Sequence, residues 1–332
     1  MFTKRDIILI SSIFLFFVCL ISPPFPALRT NPRSRIHINF SSAKDYLARG
    51  NFYFNQGKYD LAIANYDRAI QINPKYVDAY LNLAYTYAKQ KKHKLAIANY
   101  NRAVASEPNN VNAYDNRGNY YIENQKYNLA ISDFNQIIKI EPNNTNAYDN
   151  RGVSYHNQEK YDLAMADYNK VLQINPYYAD ANYNRGNLYF DRGQYDLAIA
   201  DYSKVIEVEE HSSDPYFYRG SAYLQQKKYD LAIADYNKAI DLNSRNIYIY
   251  NNRGSIYAEQ KKFDLAIADY NKVFDINPDF AITYLNRGDV YIEQKKFDLA
   301  IADYNKAKFL FESQGNIIEV EEINKTLKSL TK

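Results

Sequence analysis

Few residue types in this chain could do chemistry, and most of them recur in register. Asn82, Asn116, Asn150 and Asn184 stand 34 residues apart, and Asn252 and Asn286 continue the spacing after an interruption at Tyr218. A carboxamide carries both a donor and an acceptor, so a row of them can pair with the backbone of an extended peptide whatever its side chains. A second row, Asn101, Asn135, Asn169, Asn237, Asn271 and Asn305, has the same period, so duplication by itself also produces such rows. Tyr183, Phe190, Phe217 and Tyr218 lie outside the registers that aromatic residues otherwise occupy, and exposed aromatics are frequent anchors of protein contacts. His37, His93, His156 and His211 are unrelated in position, which leaves no pair at metal-ligand spacing. The single cysteine, Cys19, excludes internal disulfides and CxxC chemistry. No Walker loop, GxSxG elbow or HExxH motif occurs. The chain thus nominates no catalytic residue, no metal ligand and no cofactor.

The elements that must position these residues follow from the same period. YDLAIANYDRAI at 59–70, YDLAMADYNKVL at 161–172, YDLAIADYNKAI at 229–240 and FDLAIADYNKAK at 297–308 are offset by multiples of 34. Eight repeats run without insertion: 43–76, 77–110, 111–144, 145–178, 179–212, 213–246, 247–280 and 281–314. Of the 35 tyrosines, 27 sit at repeat positions 4, 11, 17 and 24, a helical spacing that marks a packed stripe rather than a cofactor surface. Position 20 is alanine throughout, and position 8 is glycine in every repeat but the second, which has Ala84. A glycine inside a helix costs roughly 1 kcal/mol against alanine, so each must permit a close approach between helices. Residues 315–332 read as a further amphipathic helix, with Ile317, Ile318, Val320, Ile323, Leu327 and Leu330 on its apolar face.

With these landmarks the chain resembles the tetratricopeptide repeat (TPR) family, including proline at position 32 in Pro74, Pro108, Pro142, Pro176 and Pro278. The resemblance implies an all-α, right-handed superhelical solenoid of helix-turn-helix repeats with a C-terminal capping helix. It further implies a non-catalytic protein-protein interaction scaffold that holds an extended peptide or partner protein in a concave groove. The family lines that groove mainly through positions 2, 5, 6, 9, 12 and 13. This places the position-6 asparagines there as a peptide-binding ladder, with Tyr183, Phe190, Phe217 and Tyr218 as anchors. Groove charge is mostly negative, through Asp115, Glu123, Asp149, Asp180, Asp191, Asp214, Glu259, Asp289 and Glu293, so a neutral or basic partner is expected. The Lys and Arg clamp by which some family members take acidic tails is absent. Alternatives are a structural self-assembly module or an accessory subunit of a membrane-associated complex. Position 7 departs from the family's usual leucine: it is arginine in every repeat but the second, which keeps Leu83. Position 23 is aspartate in repeats three to eight but Asn65 and Asn99 in the first two. The joint loss in repeat two suggests an Arg–Asp pair, either between the two helices of a repeat or across a junction.

Net charge is +3. Lys4, Arg5, Arg29, Arg33 and Arg35 hold five of the 41 basic residues and Asp6 one of the 38 acidic ones, which leaves 36 against 37 beyond residue 42. No basic footprint for nucleic acid remains. The run Ile7–Ser22 is uncharged and precedes Pro23, Pro24 and Pro26. Its length of about 24 Å as a helix falls short of a comfortable span. Residues 1–26 are read as a signal peptide or signal anchor and 27–42 as a linker, so the protein is expected to be membrane-anchored through residues 7–22 or exported, with the side of the membrane open.

Overall fold

The computed structural model describes residues 42–330. These divide into two compact units that meet at Asn175 and Pro176. The first contains α1 (Ala43–Asn55), α2 (Tyr59–Ile72), α3 (Val77–Lys89), α4 (His93–Ser106), α5 (Val111–Glu123), α6 (Tyr127–Ile140), α7 (Thr145–His156) and α8 (Tyr161–Ile174). The second contains α9 (Ala179–Asp191), α10 (Tyr195–Val208), α11 (Ser213–Gln225), α12 (Tyr229–Leu242), α13 (Ile247–Glu259), α14 (Phe263–Ile276), α15 (Ala281–Glu293), α16 (Phe297–Ser313) and α17 (Ile317–Leu330). No strand occurs among the described residues. Each 34-residue repeat is one helix pair, so the repeat boundaries and the helix boundaries coincide. The segment 1–26 and almost all of the linker lie outside the described residues. Within the described residues no helix is long and apolar enough to cross a membrane.

The first helix of a repeat is capped by an asparagine in repeats three, four and seven, where Asn110, Asn144 and Asn246 accept from the amides of Ala113, Ala147 and Tyr248. It ends in a left-handed residue at position 15, whose amide and the next one turn back onto the last turn, as with Lys261 to Ala258 and Lys262 to Tyr257. Gly57 and Gly193 occupy that position in repeats one and five, but Lys91, Gln125, Glu159, Lys227, Lys261 and Lys295 hold it elsewhere with φ between 57° and 59°.

The two helices of a repeat close on the ring at position 24. Tyr66, Phe134, Tyr168, Tyr202, Tyr236 and Tyr270 are among the largest fully buried side chains. Each packs beneath the glycine at position 8: a Cβ on Gly118 would lie 2.9 Å from the Phe134 ring, and one on Gly254 2.7 Å from Tyr270. The glycine thus faces an aromatic ring rather than the position-20 alanine. Burying the ring is worth about 2–3 kcal/mol, more than the roughly 1 kcal/mol the glycine sacrifices. At position 4 Tyr80, Tyr114, Tyr216 and Tyr250 are buried, whereas tyrosines at positions 11 and 17 are mostly half-buried, which corrects the picture of all four registers as core. At position 4 the hydroxyls of Tyr80, Tyr114, Tyr148 and Tyr284 donate to the carbonyls of Pro74, Pro108, Pro142 and Pro278 at 3.0–3.3 Å.

The expected Arg–Asp pair forms in repeats three to eight between the two helices of one repeat, and across the junction Arg117, Arg151, Arg219, Arg253 and Arg287 meet an asparagine or serine instead. Arg117 grips Asp133 through Nε and Nη2 at 2.9 and 2.6 Å, while its Nη1 donates to Asn101 of the preceding repeat at 2.8 Å. Arg151 repeats this with Asp167 and Asn135, Arg219 with Asp235 and Ser203, Arg253 with Asp269 and Asn237, and Arg287 with Asp303 and Asn271. Arg185 holds Asp201 in the same bidentate way. The aspartates are almost fully buried. In repeats one and two Asn65 and Asn99 bond to their own helices at Leu61 and Leu95 instead.

The chain ends on α17, which buries Ile323 against α16 with Val320, Leu327 and Leu330 packed beside it. Ile317 and Ile318 are exposed, so the apolar face is narrower than the sequence pattern implies.

The left-handed lysines generate a first test. A side chain in this conformation costs roughly 1–2 kcal/mol, which glycine avoids. Lys227→Gly and Lys261→Gly should each stabilise the protein by roughly 1 kcal/mol in urea unfolding; a loss of stability would contradict this account of position 15.

Candidate peptide-binding groove

Within each unit the first helices of neighbouring repeats touch: α1 with α3, α3 with α5 and α5 with α7, then α9 with α11, α11 with α13 and α13 with α15. The second helices of neighbouring repeats do not touch one another. The first helices therefore line the inner side of each unit.

In the first unit the inner side carries linked carboxamides. Asn82 donates to Asn51 at 2.9 Å, and Asn51 also accepts from the buried Tyr66 hydroxyl at 2.9 Å. Asn150 donates to Asn119 at 3.0 Å, which itself donates to Asp115 at 3.0 Å. Asn116 is exposed and bonds only its own helix, at the Asn112 carbonyl. The row thus pairs position 6 of one repeat with position 9 of the repeat before, and does not stand as free amides. Asp115 is half-buried, and burial pushes its carboxyl up to about 6 against the opposing hydrogen bond from Asn119. Nearby, Lys89 lies 5.0 Å from the ring centre of Tyr85, and Tyr85 packs on Phe54 at 5.4 Å. Burial also pushes Glu123 up, while Lys89 pulls it down.

In the second unit the inner side is more tightly packed. Asn252 is 0% exposed and Asn286 8%, so these two are packing residues rather than rungs that a ligand can reach. Asn286 and Thr283 both donate to Asn251, at 3.1 and 2.7 Å. Asn184 is half-buried. Phe190 and Phe217 are 7% and 6% exposed: Phe190 packs on Tyr195 and Phe217 on Tyr236, which removes both from the expected set of groove anchors. Tyr183 and Tyr218 are half-buried and meet at 5.5 Å.

A pairing that sequence reading missed runs through both units. The position-24 hydroxyl reaches position 9, as in Tyr66 with Asn51, Tyr202 with Asn187 at 2.8 Å, Tyr236 with Ser221 at 3.1 Å, Tyr270 with Ser255 at 3.4 Å, and Tyr304 with Asp289. The only sequence signal was that position 9 is polar in these repeats; repeat three pairs polar Asn119 with Phe134, which hid it. In repeat four Val153 stands at position 9, and the buried Tyr168 hydroxyl has no partner. No group of three or more His, Cys, Asp or Glu side chains able to hold a metal occurs among the described residues.

Family models described as tetratricopeptide repeat match residues 77–110, 179–212 and 247–280, residues 111–144, and residues 281–308. A model described as TPR repeat matches 50–91, 154–191 and 220–261. The chain belongs to the tetratricopeptide repeat family. Among solved structures, this TPR chain is similar to the APC/C hetero-tetramer Cut9–Hcn1, with 18% identity, a TM-score of 0.57, and coverage of 88% of this chain and 56% of that one. It is also similar to Pseudomonas aeruginosa PilF, at 19% identity and a TM-score of 0.55, covering 65% and 97%, and to the type IV pilus biogenesis factor PilW, at 17% and 0.54, covering 62% and 96%. These likenesses show the fold. Comparison with curated proteins gives no match.

Asp115 supplies the test for this site. Its folded-state value lies above the usual carboxylate range, so the folded protein binds the proton more tightly and the ionised group costs stability at neutral pH. Asp115→Asn should be the more stable form at pH 7, by on the order of 2 kcal/mol, and the difference should vanish as pH falls through 6 to below 4. A difference independent of pH would contradict the assigned burial of this carboxyl.

Proposed function

We propose that the protein is a non-catalytic scaffold that takes an extended, neutral or basic peptide segment along the inner side of its first helices. One observation carries the reading: the inner side combines accessible polar groups with carboxylates that are raised by burial, whereas the one lysine on it that is held over a ring, Lys89, is held there by Tyr85 and Glu123 of the same chain. Asn116, exposed at position 6, is the rung best placed to meet a peptide backbone, and Asn82, Asn150 and Asn184 extend the row. Attachment to a membrane through residues 7–22, or export, is part of this reading and locates the scaffold outside the described repeats' own chemistry.

A second reading, self-assembly through the outer side, is favoured by a different feature. Leu61, Leu95, Leu129, Leu163, Leu197, Leu231, Leu265 and Leu299 all stand at position 19 of their repeats and are 45–49% exposed.

Selection of random twelve-residue peptides on the full-length protein separates the two. Binding of the selected peptides should fall at least about tenfold with Asn116→Arg, which obstructs the inner side, and stay unchanged with Leu129→Ser on α6. The reverse pattern, or selection of no peptide at all, would contradict the groove and leave the outer leucines as the working surface.

A further inference from the structure

The inner side of repeats five and six holds a cluster of rings with no cation of its own. Tyr183 on α9 and Tyr218 on α11 meet edge to face, their planes at 89° and their centres 5.5 Å apart. The fully buried Tyr202 backs both, at 6.1 and 5.9 Å, and Phe217 packs 5.0 Å from Tyr218. The edge-to-face contact with each other and the shared backing by Tyr202 fix the two half-buried rings.

The carboxylates of Asp214, Asp191 and Asp201 act on this cluster, and of these Asp201 is already held by Arg185. Asp214, one turn before Tyr218 on α11, acts on both Tyr183 and Tyr218, and Asp191 at the end of α9 acts on Tyr218 and Tyr202. Burial alone pushes Asp214 up, and the same holds for Asp180, which in turn raises Glu209. No lysine or arginine enters any of these effects. The contrast within the protein is direct. The inner-side ring of Tyr85 carries Lys89 with Glu123 acting on it. Tyrosines flanking the position-7 arginines carry those guanidinium groups, as Tyr250 and Tyr257 carry Arg253 at 5.7 and 5.9 Å. Aromatic faces beside carboxylates attract cations, and the attraction strengthens as the site loses water. The chain satisfies that demand with its own side chains elsewhere and leaves it open at repeats five and six.

We propose that Tyr183, Tyr218 and Asp214 form a subsite for the basic side chain of a peptide segment lying in the groove, with the cation against the tyrosine rings and paired to the Asp214 carboxylate. The inference rests on the groove reading and sharpens it: the partner is required to place a lysine or arginine at this one point, whereas the polar rungs of the first unit read backbone. It also gives the buried Phe217 a role, since its ring supports Tyr218 and does not meet the ligand.

The test uses peptides selected on the full-length protein, each synthesised with its basic residues replaced one at a time by norleucine, which keeps the alkyl chain and removes the charge. One replacement should weaken binding about tenfold, and that replacement should have no further effect on Asp214→Asn, which should itself bind the parent peptide about five- to tenfold more weakly. Tyr218→Phe, which keeps the ring, should bind within about twofold of wild type, and Tyr218→Leu should not. Asp230→Asn, an exposed carboxylate on the second helix α12 of the same repeat, should leave binding unchanged, which separates a local subsite from a diffuse negative field. Thermal unfolding of each variant shows that it is folded. If Asp214→Asn does not fold, Tyr218→Leu against Tyr218→Phe decides. Peptides that bind the inner side with no dependence on any basic residue would overturn the subsite and leave the groove standing. Selection of no peptide would overturn the groove and the subsite with it.

Discussion

The architecture depends on one interaction repeated along the chain, the arginine at position 7 that holds three helices together. Its fork faces the buried aspartate at position 23 of its own repeat, and its remaining nitrogen reaches position 25 of the repeat before. A bidentate guanidinium–carboxylate pair fixes both distance and angle, so the two helices of a repeat and the junction to the preceding one are set by the same group. The tyrosines at positions 4 and 11 lie one turn to either side and place their rings by the guanidinium, as Tyr114 and Tyr121 do by Arg117. Burial pushes Asp133, Asp167 and Asp269 up, and the facing arginines pull them down. The pair is thus a costly element made tolerable by complete hydrogen bonding. It fixes geometry rather than maximising stability, which is what a stack of nearly identical repeats needs if each repeat is to meet its neighbour in one way.

This division of labour leaves the inner side free. The arginine, the aspartate and the position-24 ring work between the two helices, so positions 2, 5 and 6 of the first helices differ from repeat to repeat while the stack is kept, and position 9 is tied to the position-24 hydroxyl in repeats one, five, six, seven and eight. Their differences are where the units diverge: linked carboxamides and Asp115 in the first, a buried Asn251, Asn252 and Asn286 group and the Tyr183 and Tyr218 cluster in the second. The scaffold is uniform and the surface is not.

The period of 34, the helix pairs and the terminal helix were legible in the sequence because glycine, alanine and tyrosine recur at fixed offsets. The Arg–Asp pair was legible because repeat two changes both members together, to Leu83 and Asn99. Other features were hidden by the same regularity. A row of asparagines at position 6 looks uniform, yet Asn116 is exposed while Asn252 is enclosed, because burial depends on the side chains of the next repeat and not on register. Phe190 and Phe217 stand at groove positions but turn into the packing, where Tyr195 and Tyr236 receive them. Of the position-25 asparagines, which resembled passive copies, Asn101, Asn135, Asn237 and Asn271 prove to be acceptors for the junction arginines. The left-handed position 15 was masked by lysine, glutamine and glutamate standing where glycine would have announced the turn.

A double-mutant cycle at Arg253 and Asp269, followed by urea unfolding with hydrogen exchange in α13 and α14, tests the central claim most directly. Repeat two supplies the reference state, since it lives with leucine and asparagine at these positions. Arg253→Leu and Asp269→Asn should each cost about 3 kcal/mol or more, by leaving a buried partner uncompensated, whereas the double variant should cost about 1 kcal/mol, a coupling of several kcal/mol. Single losses that simply add in the double variant would show that the pair does not hold the repeat together.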